Sequence, residues 1–155
     1  MSDSDSSIIF GTIAGLVLLG LGATNYKSPP VIDLSDLEKE HIALLVCSEA
    51  EEQPYEAKVA TARVVINRIL SPQFPNSVDT VIYQPGQFVS VQTGEYTVDK
   101  ETIHPGLLEE SFKAVEEALR KDPTNGAIFY ANSLFMTPED YPETYIELGN
   151  FLFYK

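Results

Sequence analysis

Apolar positions fall along this chain in three kinds of pattern. Residues 7–23, "SIIFGTIAGLVLLGLGA", are apolar or small throughout and hold no charge. At 1.5 Å per residue they predict one apolar helix about 26 Å long. "NYKSPPVID", residues 25–33, breaks that run, because two consecutive prolines favour extended backbone and cannot continue a helix. From Ser35 the spacing turns amphipathic: "SDLE" has the form of a capping box, and Leu37, His41, Leu44, Leu45 and Ser48 recur at helical intervals. Pro54 opens a second helix whose run "AKVATARVVINRIL" is apolar on nearly every side, which places it at the centre of a fold.

"SPQFPNS" ends that helix, and Ser77 is positioned to cap a short one over "VDTVIY". "QPGQF", residues 84–88, is a turn by its Pro-Gly pair, and residues 92–105 show no period and read as an exposed loop. Leu107, Leu108, Phe112, Val115 and Leu119 then mark another helix, which "DPTNG" stops. The aromatic runs "AIFYAN" and "NFLFYK" suit a small hairpin. The expected architecture is α+β and mainly helical. It comprises an N-terminal head and apolar helix (1–24), a linker (25–33) and one folded domain (34–155) with a small C-terminal hairpin.

Charge narrows the function. With 10 Lys and Arg against 23 Asp and Glu in 155 residues, the net charge is −13, and no basic stripe tracks a phosphate backbone. Nucleic acid is excluded as a partner on that ground. Cys47 is the only cysteine, so no intrachain disulfide forms, and no Cys-His motif surrounds it. His41 and His104 lie in no zinc-binding spacing, so neither metal nor organic cofactor is expected. The apolar segment 7–23 is either a membrane anchor or signal-like helix, or a helix that docks in a larger assembly. Its head, "MSDSDS", is acidic, and the nearest basic residue is Lys27 after it.

The stretch "CSEAEEQPYEAKVATARVVINRI" concentrates the candidate chemistry. A carboxyl that donates a proton near neutral pH needs burial or neighbouring negative charge. Glu49 falls where two packed helices meet and is the one of four glutamates placed for partial burial. Glu51 and Glu52 lie in the connection and read as solvated charge. Glu56, in the first turn of the second helix, interacts favourably with the helix dipole and is a supporting group at most.

The ordered motifs "SEAEEQPYEAKVATARVVINRI", "SPQFPNSVDTVIYQPGQF", "KDPTNGAIFYAN" and "GNFLFYK" resemble the SleB/CwlJ-like cell-wall hydrolases, peptidoglycan-cleaving domains with a lysozyme-like fold. The resemblance covers about Ile42 to Tyr154. It implies that Glu49 protonates the glycosidic oxygen between N-acetylmuramic acid and N-acetylglucosamine, as in a lytic transglycosylase. The sugar C6 hydroxyl would then close onto C1, and no second carboxylate would be required; for hydrolysis, Glu56, Asp79 and Glu95 are weak partners by position. It further implies a sugar cleft lined by Tyr83, Gln87 and Phe88 from one side and Tyr130 and Asn132 from the other, with no cofactor, and a place of action outside the cytoplasmic membrane. The chain departs from the family's usual pattern at Glu52 and Ala57, where glycines are common, at Val89, where a serine is common, and at Phe151, where a histidine is common. A non-catalytic wall-binding or assembly protein of the same fold, in a virion or membrane complex, is the alternative.

Overall fold

The computed structural model describes residues 29–155. The expected capping box starts its first helix, α1 (Asp36–Ala50): the Glu38 N–H donates to Ser35 Oγ at 3.3 Å while Glu38 Oε2 accepts from the Ser35 N–H at 2.9 Å. Two of the four amide groups that a helix start leaves unpaired are thereby satisfied. Ile42 to Cys47 are buried without interruption, so this stretch of the helix is enclosed on all sides rather than on one stripe. The same holds for α2 (Tyr55–Leu70), buried continuously from Ala57 to Arg68, as its all-round apolar run predicted. Both pack against α5 (Pro105–Arg120), which begins with Pro105 at its first position and with the His104 ring accepting from the Gly106 N–H. Its buried face is made of Ser111, Ala114, Val115 and Ala118, mostly small side chains that let α1 and α2 approach closely.

Two short helices pack on this core, α3 (Val78–Ile82) against α1 and α2, and α4 (Val89–Thr93) against α1. The second corrects the sequence-based loop boundary. Helix α4 occupies the start of the supposed loop, and a 3-10 turn (Lys100–Thr102) follows within it. Five residues are too few to display a helical period, so the pattern alone could not reveal α4.

The C-terminal part is a three-stranded antiparallel sheet in the order β1 (Phe129–Asn132), β3 (Phe151–Tyr154), β2 (Ile146–Leu148). The two aromatic runs pair as expected, Phe129 opposite Tyr154 and Asn132 opposite Phe151. A third strand, which corrects the two-stranded hairpin, pairs with the other edge of β3 and joins it through Gly149 and Asn150. At φ +60°, Gly149 has the left-handed backbone that such tight turns demand, and a Cβ there would lie 2.6 Å from both Gln53 Oε1 and Pro54 Cδ. The Asn150 N–H donates to Gln53 Oε1 at 2.9 Å, so this turn is docked on the α1–α2 connection.

Candidate active site

Glu49 is half-buried in the last turn of α1. Its neighbours in sequence diverge: Ala50 is buried, while Glu51 and Glu52 are exposed, as solvated charges should be. Both carboxyl oxygens of Glu49 are engaged. Oε1 accepts from the Ser90 N–H at 2.8 Å and from Ser90 Oγ at 2.5 Å, and Oε2 accepts from the Tyr130 hydroxyl at 2.7 Å. Ser90 stands in the first turn of α4, where an amide has no carbonyl partner within its own helix, so the carboxylate supplies one.

This geometry distinguishes the two oxygens. A backbone N–H only donates, so Oε1 is an acceptor whether the acid is charged or neutral. Oε2 receives one donor and has a lone-pair position left. Oε2 is therefore the oxygen open to a further partner, beside Tyr130. The Tyr130 phenol stays protonated as a donor: burial, and then the adjacent Glu49, hold it well above its ordinary value.

Ser90 is the partner of Glu49 that sequence reasoning missed. The family pattern directed attention to position 89, occupied here by Val89, which is 67% exposed. One residue later, on a helix too short to show a period, the serine turns inward and is buried. A serine in the first turn of a helix after a Pro-Gly turn is the signal that was available.

The other sequence candidates divide. Tyr83 is 54% exposed and meets Tyr96 edge-on at 5.8 Å, which leaves its ring available to a ligand. Gln87 is half-buried; its backbone N–H closes the turn onto the Gln84 carbonyl, and its side-chain amide has no hydrogen-bond partner among the described residues. Phe88 is 1% exposed and has no free face for a sugar; it packs beneath the site, its ring centre 6.4 Å from that of Tyr130. Tyr130, expected as a sugar contact, has its hydroxyl on Glu49 and its ring stacked on Phe151 at 5.1 Å. Asn132 shares a sheet face with Tyr130 by alternation, and its Oδ1 accepts from the Leu134 N–H, which starts a 3-10 turn (Ser133–Phe135).

Glu56 is exposed in the first turn of α2 and makes no side-chain hydrogen bond or ion pair among the described residues. Asp79 faces His41 Nδ1 at 2.6 Å. Glu95 is exposed and lines a depression of about 490 Å³ with Ser48, Glu51, Thr97 and His104. None of the three is joined to Glu49. Among the described residues no group of three or more His, Cys, Asp or Glu is arranged to hold a metal. Cys47 is buried, its thiol 3.2 Å from Ser111 Oγ, and burial pushes that thiol's pKa up, as for an unreactive core cysteine. Among the described residues no helix is long and apolar enough to cross a membrane; the expected apolar helix at 7–23 lies outside them.

Comparison with known proteins adds the family context. The family described as Cell Wall Hydrolase matches residues 52–154, beginning just after Glu49. A spore cortex-lytic enzyme of Halalkalibacterium halodurans is 38% identical over 100 residues, 63% of this chain and 28% of that protein. One from Bacillus subtilis is 40% identical over 93 residues, again 28% of its length, so the chain corresponds to under a third of these relatives. Among solved structures, the catalytic domain of the germination-specific lytic transglycosylase SleB from Bacillus anthracis superposes with a TM-score of 0.65 at 32% identity, covering 79% of this chain and 97% of that one. The catalytic domain of Bacillus cereus SleB gives 0.66 at 31% identity, covering 88% and 100%.

Proposed function

Because the chain belongs to the cell wall hydrolase family, we propose that it cuts peptidoglycan glycan strands between N-acetylmuramic acid and N-acetylglucosamine as a lytic transglycosylase, with Glu49 as acid and then base. The observation that carries this reading is the half-buried Glu49 carboxyl with three donors converging on it, two from Ser90 and one from Tyr130. Glu49 gives its proton to the glycosidic oxygen, and the C1–O bond breaks with its electron pair leaving on that oxygen. The muramic acid keeps an oxocarbenium-like C1. Its own C6 hydroxyl attacks C1 and returns its proton to Glu49, so a 1,6-anhydro sugar forms, no water is consumed and the acid is regenerated. The donors from Ser90 and Tyr130 fix the orientation of the carboxyl for both proton transfers.

Hydrolysis would require a second carboxylate across the sugar. That Asp79 is engaged by His41, and that Glu56 and Glu95 are exposed and unconnected to Glu49, supports the transglycosylase. Tyr83 and Gln87 line the glycan path, with Asn132 on the opposite wall, and Phe88 supports them from below. The domain acts outside the cytoplasmic membrane, with residues 7–23 tethering it there.

Mass spectrometry of fragments released from purified peptidoglycan tests this directly. Anhydro-ended muropeptides are expected, and Glu49→Gln should lower their release about a thousandfold with the fold intact. Reducing ends would make the enzyme a hydrolase. Glycan pull-down without any release would leave a binding protein, and parental release by Glu49→Gln would remove Glu49 from the mechanism.

A further inference from the structure

Arg68 has no part in the scheme above, yet its setting is costly. It lies in the last turn of α2 with 2% of its surface exposed. Its Nε donates to the Ile128 carbonyl at 2.7 Å, and its guanidinium carbon sits 4.7 Å from the ring centre of Phe88, 5.1 Å from that of Phe74 and 5.7 Å from that of Phe129. Nη1 is buried with no hydrogen-bond partner, and no carboxylate pairs with this cation among the described residues. A charge taken out of water is normally compensated by a counter-charge. A cage of three rings built only for packing would hold a methionine or leucine more cheaply.

The cage leads to the site from two directions. Phe88 is the residue from which α4 starts, two positions before Ser90, and its ring lies against that of Tyr130. Ile128 and Phe129 immediately precede Tyr130 in the chain. Arg68 is thus linked to both donors of Glu49 through one intervening layer: through Phe88 to Tyr130 and the start of α4, and through Ile128 and Phe129 to the strand that carries Tyr130.

We propose that Arg68 is a positioning residue for glycan cleavage: its buried charge holds the Phe88 and Phe129 walls that carry Ser90 and Tyr130, and it stabilises the Glu49 carboxylate formed on proton donation. The inference rests on the transglycosylase reading of Glu49. Before proton transfer the Glu49 carboxyl is neutral and the cation has little to act on; afterwards the carboxyl is an anion, and the cation attracts it. Such an interaction raises kcat and leaves substrate binding alone. The planar guanidinium suits three ring faces better than an ammonium does.

The test measures kcat and KM for muropeptide release from soluble glycan strands by the parent, Arg68→Met and Arg68→Lys, each checked for folding by circular dichroism. Arg68→Met is expected to lower kcat about a hundredfold with KM changed by less than about twofold, and Arg68→Lys to recover at least about tenfold of that loss. Parental kcat in folded Arg68→Met, a loss confined to KM, or no recovery in Arg68→Lys overturns the proposal. If Arg68→Met does not fold, a double-mutant cycle of Arg68→Lys with Tyr130→Phe decides: a combined loss smaller than the product of the two supports it, and simple multiplication refutes it. A parent that releases nothing would overturn the transglycosylase reading and this inference together, whereas an active parent with an indifferent Arg68→Met rejects the inference alone.

Discussion

Arg63 and Arg68 leave the same helix little more than one turn apart, and both are almost wholly buried, yet their surroundings differ in kind. Arg63 is compensated by polar partners: Nε donates to Asn67 Oδ1 at 2.9 Å and lies 3.6 Å from Asp122 Oδ2, and Nη1 donates to the Ala118 carbonyl at 3.0 Å. Asp122 in turn accepts from the Thr124 and Gly126 N–H groups, so this cluster ties α2 to the end of α5 and to the turn before the sheet. Among the described residues Arg68 has one carbonyl, three rings and no carboxylate. Burial pulls its guanidinium below the ordinary value, against the opposing pull of Tyr130, Tyr154 and Glu49. The difference shows why burial alone does not identify a functional charge. A neutralised buried ion stabilises an architecture, and an incompletely neutralised one is available to a nearby reaction.

The strongest way to break this comparison is Arg63→Met. Removing one member of a buried, hydrogen-bonded pair leaves Asp122 and the Ala118 carbonyl without their partner and should cost about 3–5 kcal/mol of stability, read from the denaturant midpoint. The kcat of the molecules that remain folded should be unchanged; a kcat loss would place Arg63 with Arg68. Ser90→Ala sharpens the other side. It deletes the hydroxyl donor to Glu49 and keeps the N–H donor, so kcat should fall about tenfold with little change in melting temperature. A fall in melting temperature at parental kcat would make Ser90 a purely structural contact. The smallest effect belongs to the surface: Lys113→Ala removes a 2.7 Å ion pair with Glu109 in which both side chains are largely exposed, and neither midpoint nor kcat should move measurably.

Much of the scaffold was legible along the chain because it is written in local chemistry. The Ser35 and Glu38 box, the apolar all-round run of α2 and the "DPTNG" stop each act within a few residues, and each appears in the fold where it was expected. The third strand and α4 were not legible, being too short to carry a period and dependent on what they dock against. The site shows the same division. Glu49 stood out through its place between two helices and through the family resemblance. Its partners did not, since Ser90 is 41 positions away and Tyr130 is 81.

By itself, then, the sequence determined where helices begin and end, which faces are apolar and that a carboxyl lies where two central helices meet. Those properties depend on neighbours at spacings of two to four residues. Only the tertiary structure decided that Phe88 lies beneath the site with no exposed face, that Tyr130 bonds Glu49, and that one buried arginine is paired while the other is caged by rings. Those outcomes depend on packing between segments distant in the chain, where no local period records which side chain will meet which.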